Sequence, residues 1–364
     1  MKNLSLRAQR SGVDKPLLFT VLGLLLFGVV MVFNASLVDA IKNHSDKFFF
    51  IKRQAIWTVI GLAGMVFLAR LPYLVLAKFA KPILIGSLAL LIAVLIPGIS
   101  NEVLGARRWI GVGSIVIQPA EIVKFAFTIY LAATLTKKVP LNQFLLVFGS
   151  IVGLVMLEPD LGTTIVISTI ALSMYFAAGA PLLHFAIGLP SAALLGLLLI
   201  LSSSYRRERL LTFFNPGQDP LGTSYHISQV LIALGSGGLF GVGLGQSRQK
   251  YLFLPEPATD SIFAIIGEEL GFVGSVVLIA AFVYLIWRGY QIALKVSDPF
   301  GKLLAIGITS WLGAQVVLNL GAMVALVPLT GIPLPLVSYG GSSLVVSLAA
   351  IGTLLNISKQ SALK

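Results

Sequence analysis

Cysteine is absent from the 364 residues. That excludes disulfides, thiolate catalysis and cysteine-ligated zinc or iron–sulfur centres. Histidine occurs only at His44, His184 and His226, with no metal-ligand spacing. Charge is scarce as well: 11% of residues are Asp, Glu, Lys or Arg, less than half the share of about 25% in a soluble domain. No P-loop, no GxGxxG after a strand, no HExxH and no nucleophile elbow is present, so nucleotide-driven chemistry is not indicated.

What is abundant is apolar. Hydrophobic residues make up 57% of the chain, and mean hydropathy is +0.96. A soluble fold of this length cannot cover that much apolar surface, so composition alone points to a polytopic membrane protein. A net charge of +12 would suggest nucleic acid in a soluble chain. Here its distribution across the membrane is the more informative quantity, and no nucleic-acid partner is expected.

Apolar windows long enough to span lie near 17–37, 55–69, 82–97, 117–135, 142–157, 161–180, 182–201, 261–287, 303–328 and 336–357. The expected fold is therefore an all-α polytopic membrane protein of about ten transmembrane helices. Residues 1–16 and 358–364 are short tails around a single transmembrane domain, 17–357, and a long loop at about 202–260 joins helices 7 and 8. An even number of spans puts both termini on one side. The segments on that side are basic, with only Asp14 and Asp298 as acids, so the positive-inside rule makes it the cytoplasm. The glycine-rich stretch 228–245 is apolar enough for another span, but counting it would invert the last inner loop. It is assigned to the outer loop, lying at the surface or re-entering, because non-helical backbone at membrane depth needs protein or water against it.

Four blocks carry polar groups that a purely structural bundle does not need. In 101–124, Pro119 suits the first turn of a helix. Glu121 and Lys124, three apart, share a helix face and read as the only charged pair inside a span. They form either a structural ion pair or, with Arg107 and Arg108 at the rim, a cationic site for an anionic headgroup. In Glu158-Pro159-Asp160, the two acids suit either a cation or a cap on the next helix. In the outer loop most polar residues are simply solvated. The exception is Asp260, at the mouth of a span, where partial desolvation raises a carboxyl toward a general base's working range. The fourth block, Pro328 to Ser343, has the prolines and glycines of a broken helix that lines a cavity.

In this order the blocks resemble the SEDS family of bacterial cell-wall proteins, the FtsW/RodA group, over nearly the whole chain. The matching motifs are Arg107-Arg108-Trp109 with Gln118-Pro119-x-Glu121-x-x-Lys124, Glu158-Pro159-Asp160-Leu161-Gly162-Thr163, and Gly331-Ile332-Pro333-Leu334-Pro335 with Ser338-Tyr339-Gly340-Gly341-Ser342-Ser343. The runs 220–229 and 246–251 favour the division-type members over the elongation type. Ala258 stands where the family often has histidine, and Ser261 where phenylalanine is common.

The resemblance implies a peptidoglycan glycosyltransferase that polymerises lipid II on the outer face of the bacterial cytoplasmic membrane, at the division septum. It implies as partners a class B penicillin-binding protein and other division-machinery membrane proteins. Through Pro255-Glu256-Pro257-x-Thr259-Asp260 it implies Asp260 as catalytic base. Pyrophosphate is a good leaving group, so one base and a cationic clamp suffice, unlike the two carboxylates of glycoside hydrolases. Arg107, Arg108, Lys124, Arg206 and Arg207 are the candidate phosphate ligands, with Glu121, Ser342 and Ser343 also assigned to substrate binding. No tightly bound cofactor is expected; Mg²⁺ or Mn²⁺ would act as an electrostatic clamp, with Asp160 as a candidate ligand. The competing readings are a lipid II flippase and a non-catalytic scaffold.

Overall fold

The computed structural model describes residues 12–361 except 104–105, 113–114, 138–139, 202–203, 215–221 and 223. The main helices are α1 (Lys15–His44), α2 (Phe49–Arg70), α4 (Ala80–Leu95), α5 (Pro119–Leu135), α6 (Leu141–Leu157), α7 (Leu161–Ala177), α8 (Leu182–Leu201), α11 (Ile262–Lys295), α12 (Pro299–Met323) and α13 (Gly341–Ser361). Each overlaps one expected span. Five of them, α1, α2, α11, α12 and α13, are long and apolar enough to cross a membrane, and α4, α6, α7 and α8 are shorter apolar helices. Short helices α3 (Leu74–Lys78), α9 (Ser204–Phe214) and α10 (Tyr225–Ser236) complete the set.

Local sequence explains several starts. Asp14 caps α1 by accepting from the Leu17 amide at 2.9 Å, with Pro16 in the first turn. Asp298 caps α12 through the Gly301 amide at 2.8 Å, ahead of Pro299. Pro119 begins α5 as its missing N–H predicts. At the other end, the expected span 303–328 stops at Met323, and residues 324–340 are non-helical.

Long-range bonds sort the loops into two ends. At one end the Arg288 guanidinium pairs with Asp14 at 2.9 Å, and the Asp14 amide donates to Ser358 Oγ at 3.1 Å. There too, Asn356 and Lys359 donate to the Ala69 carbonyl at 2.8 and 2.6 Å. The start of α1 and the end of α13 therefore share this end, as an even number of crossings requires. The opposite end carries a small antiparallel meander that the sequence reading did not include: β1 (Ser100–Val103), β2 (Ala106–Val112) and β3 (Ile115–Ile117), in that order. It is fastened to α13, whose Ser342 hydroxyl accepts from the Gln118 amide at 3.0 Å.

α11 is broken. Gly271 has φ 68° and ψ −164°, a conformation open only to glycine at low cost. The glycine-rich segment after α10 lies in the break. The Val242 and Gly243 amides donate to the Glu268 and Glu269 carbonyls at 3.0 and 3.1 Å, and the Phe272 and Val273 amides donate to Gly238 and Leu239 at 2.9 and 3.1 Å. The backbone groups freed by the break thus find partners in the segment placed in the long loop. Gly241 is required there, because a Cβ on it would sit 2.0 Å from the Glu269 carbonyl oxygen.

Candidate active site

Asp260 lies in the turn that precedes α11, with residues of three elements around it. The Asn319 amide of α12 donates to its backbone carbonyl at 2.8 Å. The Thr259 hydroxyl lies 3.2 Å from its Oδ1 and 2.9 Å from Glu256 Oε2. Behind this turn Ser338 donates to the Thr259 carbonyl at 2.5 Å, and the Tyr339 amide donates to Ala258 at 2.8 Å. Gly331 is the near wall, its Cβ direction reaching Asp260 Oδ2 at 3.8 Å. The expected broken helix at 328–343 is a loop up to residue 340, and this loop packs against the turn that carries the aspartate.

Asp260 keeps some surface but is closely enclosed. Burial pushes its carboxyl above the usual range, against the lowering effect of its own and Ser261's backbone N–H, the Thr259 hydroxyl and the Arg209 charge. Arg209, whose charge acts on Asp260, lines a cleft of about 270 Å³ together with Glu208, His226, Pro328 and Leu329 among others, and Asp260 itself is not part of that lining. Arg209 donates to the Leu329 carbonyl at 2.8 Å, which ties α9 to the rim of the cleft. His226 Nε2 is 2.7 Å from Ser261 Oγ. Burial and the Arg209 charge pull the imidazole down to about 4, against the opposite pull of Glu256, so it is neutral at pH 7.

The other sequence-derived candidates do not converge on Asp260. Arg108 donates through Nε to the Glu158 carbonyl at 2.9 Å and through Nη2 to the Pro159 carbonyl at 2.6 Å. It clamps the α6–α7 turn. Arg107 is partly exposed on β2. Glu121 and Lys124 are buried inside the bundle, 2.7 Å apart, with the Lys124 ammonium 5.2 Å from the Trp311 ring centre. Ser342 holds the β3–α5 junction, and Ser343 is buried at the start of α13. Arg207 is exposed on α9; the side chain of Arg206 falls outside the described residues. Among the described side chains of α9, Arg209 is the cation whose charge acts on Asp260. Arg206 and Arg207 were the expected ligands, and Arg209 was not, because the fold alone brings it to Asp260.

Asp160 does not fit the role of metal ligand. Its Oδ1 caps α7 by accepting from the Thr163 amide, and its Oδ2 accepts from the Thr163 hydroxyl, both at 2.9 Å. Among the described residues no group of three His, Asp or Glu could hold a metal ion. Its neighbour Glu158 is fully buried, and among the described residues neither of its carboxyl oxygens has a hydrogen-bond partner. Burial and the Asp160 charge push it up to about 8, with Arg108 opposing.

Glu121 and Lys124 are not the only charges inside a span, as the sequence reading had them. Glu268 and Glu269 lie within α11, both buried. Glu269 receives the Lys250 ammonium at 3.1 Å, the amides of Gly245 and Ser247 at 3.0 and 3.2 Å, and the Asn34 side-chain amide. Glu268 receives the Ser247 hydroxyl at 2.5 Å and the amides of Arg248 and Gln249 at 2.9 and 3.4 Å. The signal was present, as two acids seven and eight residues into an apolar run.

Comparison with known proteins places the chain in a family. A family model described as cell cycle protein and covering FtsW, RodA and SpoVE matches residues 15–363. The chain is 43% identical over 362 residues to stage V sporulation protein E of Bacillus subtilis, covering 97% of this chain and 99% of that one. It is 41% identical over 354 residues to a probable peptidoglycan glycosyltransferase FtsW of Geobacter metallireducens, covering 95% and 94%. A solved structure concerning coordination of polymerization and crosslinking by a peptidoglycan synthase complex holds a similar chain. That chain has TM-score 0.80 and 30% identity, with 96% of this chain and 98% of the other covered.

Proposed function

The chain belongs to the FtsW, RodA and SpoVE family of cell cycle proteins, and on that premise we propose that it polymerises lipid II into glycan strands on the outer face of the cytoplasmic membrane. It is a glycosyltransferase, as its relatives named peptidoglycan glycosyltransferase are, at 41% identity over nearly the whole chain. The observation that carries the finer reading is the Asp260 carboxyl, desolvated at the mouth of α11 under the charge of Arg209, which lines the cleft.

The incoming 4-hydroxyl attacks the anomeric carbon of the growing strand, and the polyprenyl diphosphate leaves with the electron pair of the broken bond. Asp260 takes the hydroxyl proton; desolvation raises its basicity toward the working pH. Arg209 supplies positive charge from the lining of the cleft, and Arg207 stands exposed on the same helix. Arginine suits a diphosphate because its planar fork makes two parallel hydrogen bonds. Asn319 and Ser338 hold the backbone on either side of the base, so its position does not depend on a mobile loop.

The partner we assign is a class B penicillin-binding protein, a reading supported by the similar chain in the synthase complex. The division-type runs at 220–229 and 246–251 support a role at the septum rather than in elongation. A lipid II flippase is the second reading, and the buried charges of α5 and α11 favour it. Glu121 is paired with Lys124 and Glu269 with Lys250, however, and Glu268 is held by the Ser247 hydroxyl and two loop amides, so these charges are committed to the fold.

The test is polymerisation of labelled lipid II by the purified protein, with and without its transpeptidase. General-base catalysis contributes roughly 10²–10⁴-fold, so Asp260→Asn should lose that much while still inserting and melting normally. Full polymerisation by Asp260→Asn overturns the base assignment. Outward movement of inside-labelled lipid II in liposomes, without polymer, moves the flippase reading ahead.

A further inference from the structure

His226 is the second residue of α10, and its Nε2 is 2.7 Å from the hydroxyl of Ser261. Ser261 is fully buried and follows Asp260 directly. Its backbone N–H donates to the Glu256 carbonyl at 3.2 Å and also favours the Asp260 carboxylate. The turn holding the base is therefore tied at several points. Asn319 holds the Asp260 carbonyl, Ser338 holds the Thr259 carbonyl, and His226 holds the side chain of Ser261.

This bond is not what docks α10. Ile227, Val230 and Ala233 are buried and place that helix against α11. The imidazole is neutral, so it adds no charge to a diphosphate site. Its Nδ1 has no protein partner among the described residues, and its ring lines the cleft beside Arg209. What remains is its directional bond to the residue that follows the base. A general base works only within hydrogen-bond reach of its proton, and a misplacement of about 1 Å can cost on the order of 10²-fold.

We propose that His226 is a positioning residue for Asp260, acting through Ser261 to hold the turn that carries the aspartate. The proposal rests on Asp260 being the base of lipid II polymerisation. It separates from a sugar-binding role for His226, in which the ring would contact substrate directly and the effect would appear in KM.

The experiment uses the full-length protein with its transpeptidase partner and labelled lipid II. His226→Phe keeps a planar ring and removes both nitrogens. It should lower kcat by about 10- to 100-fold, with KM unchanged within about twofold. His226→Gln, whose amide can still reach Ser261, should recover most of that loss. Ser261→Ala should reproduce the kcat defect, and the double variant His226→Phe/Ser261→Ala should be no worse than the more severe single one. Melting of His226→Phe in detergent should stay close to the parent's. If that variant does not fold, Ser261→Ala, which removes one buried oxygen, decides the matter through the same kcat readout. Full kcat in Ser261→Ala, a change confined to KM, or multiplicative losses in the double variant overturn the proposal. Asp260→Asn is assayed alongside: if it polymerises, the base assignment has failed, whereas an inactive Asp260→Asn beside fully active His226→Phe sinks only the positioning role.

Discussion

Asn319 of α12 binds the backbone of Asp260. Its amide nitrogen lies 2.8 Å from the Asp260 carbonyl and 2.8 Å from the Ile332 carbonyl. One side chain thereby joins the turn before α11 to the loop before α13, and the two together make the wall around the base. Asn319→Asp replaces this donor with a carboxylate facing two carbonyls. Losing a buried partner costs about 1–3 kcal/mol, more with charge. Polymerisation and melting temperature should therefore both fall in Asn319→Asp, and melting should fall less in Asn319→Ala. A melting temperature for Asn319→Asp equal to the parent's would show that the amide bears no part of the load.

Much of the bundle was legible because apolar runs are local signals. Pro119 was read as a helix start from sequence, whereas the caps Asp14 and Asp298, read only as inner-side acids, show their role in the structure. The break at Gly271 was not legible. Glu268-Glu269-Leu270-Gly271 lies inside the expected span 261–287, and only the glycine segment folded against it explains how the backbone is satisfied there. The meander at 100–117 was not legible, because its short strands carry no clean alternation of apolar and polar residues to set against the helical runs on either side. Asp260 could be named because it stands at a boundary of hydropathy. Arg209 and His226 could not, because they are far from it in sequence and reach it only through the packing of α9 and α10 around the cleft.

The pair Glu121 and Lys124 is buried at 2.7 Å, and among the described residues the second Glu121 oxygen has no hydrogen-bond partner. Removing one member of such a pair strands the other without water, at a cost of about 3–5 kcal/mol. Lys124→Met should therefore lower the melting temperature sharply. Adding Glu121→Gln to it should restore most of the loss, since two neutral groups need no compensation. Thermal unfolding in detergent checks this, and a double variant no more stable than Lys124→Met would contradict a mutual pair.

Glu268 and Glu269 divide the loop amides between them. Gly245 and Ser247 donate to Glu269, and Arg248 and Gln249 donate to Glu268. Hydrogen exchange should resolve this division. Glu269→Ala should speed exchange first at Gly245 and Ser247, and Glu268→Ala at Arg248 and Gln249. Equal acceleration across all four amides in both variants would mean that the loop opens as one piece and that the carboxylates do not act separately.

Glu158 gives a dependence on pH with a definite sign. Its carboxyl is raised from 4.5 to about 8 by burial first and the Asp160 charge second, with Arg108 opposing. An acid raised on folding binds its proton more tightly in the folded state. Between about 4.5 and 8 the folded protein therefore carries a proton that the unfolded chain has lost, and stability falls as pH rises through that window. Below it the carboxyl is neutral in both states and burial of a charge costs nothing. Glu158→Gln keeps the shape and cannot ionise, so its melting temperature should match the parent's near pH 4.5 and exceed it increasingly toward pH 8. At about 1.4 kcal/mol for each pH unit of the raised range, the gap at the alkaline end is on the order of a few kcal/mol. The Arg108 clamp does not confound the comparison, because it holds the Glu158 and Pro159 carbonyls rather than the carboxyl. Parallel melting curves for parent and variant across this window would mean that Glu158 is ionised in the fold and has a partner, and that Arg108 rather than burial governs the turn.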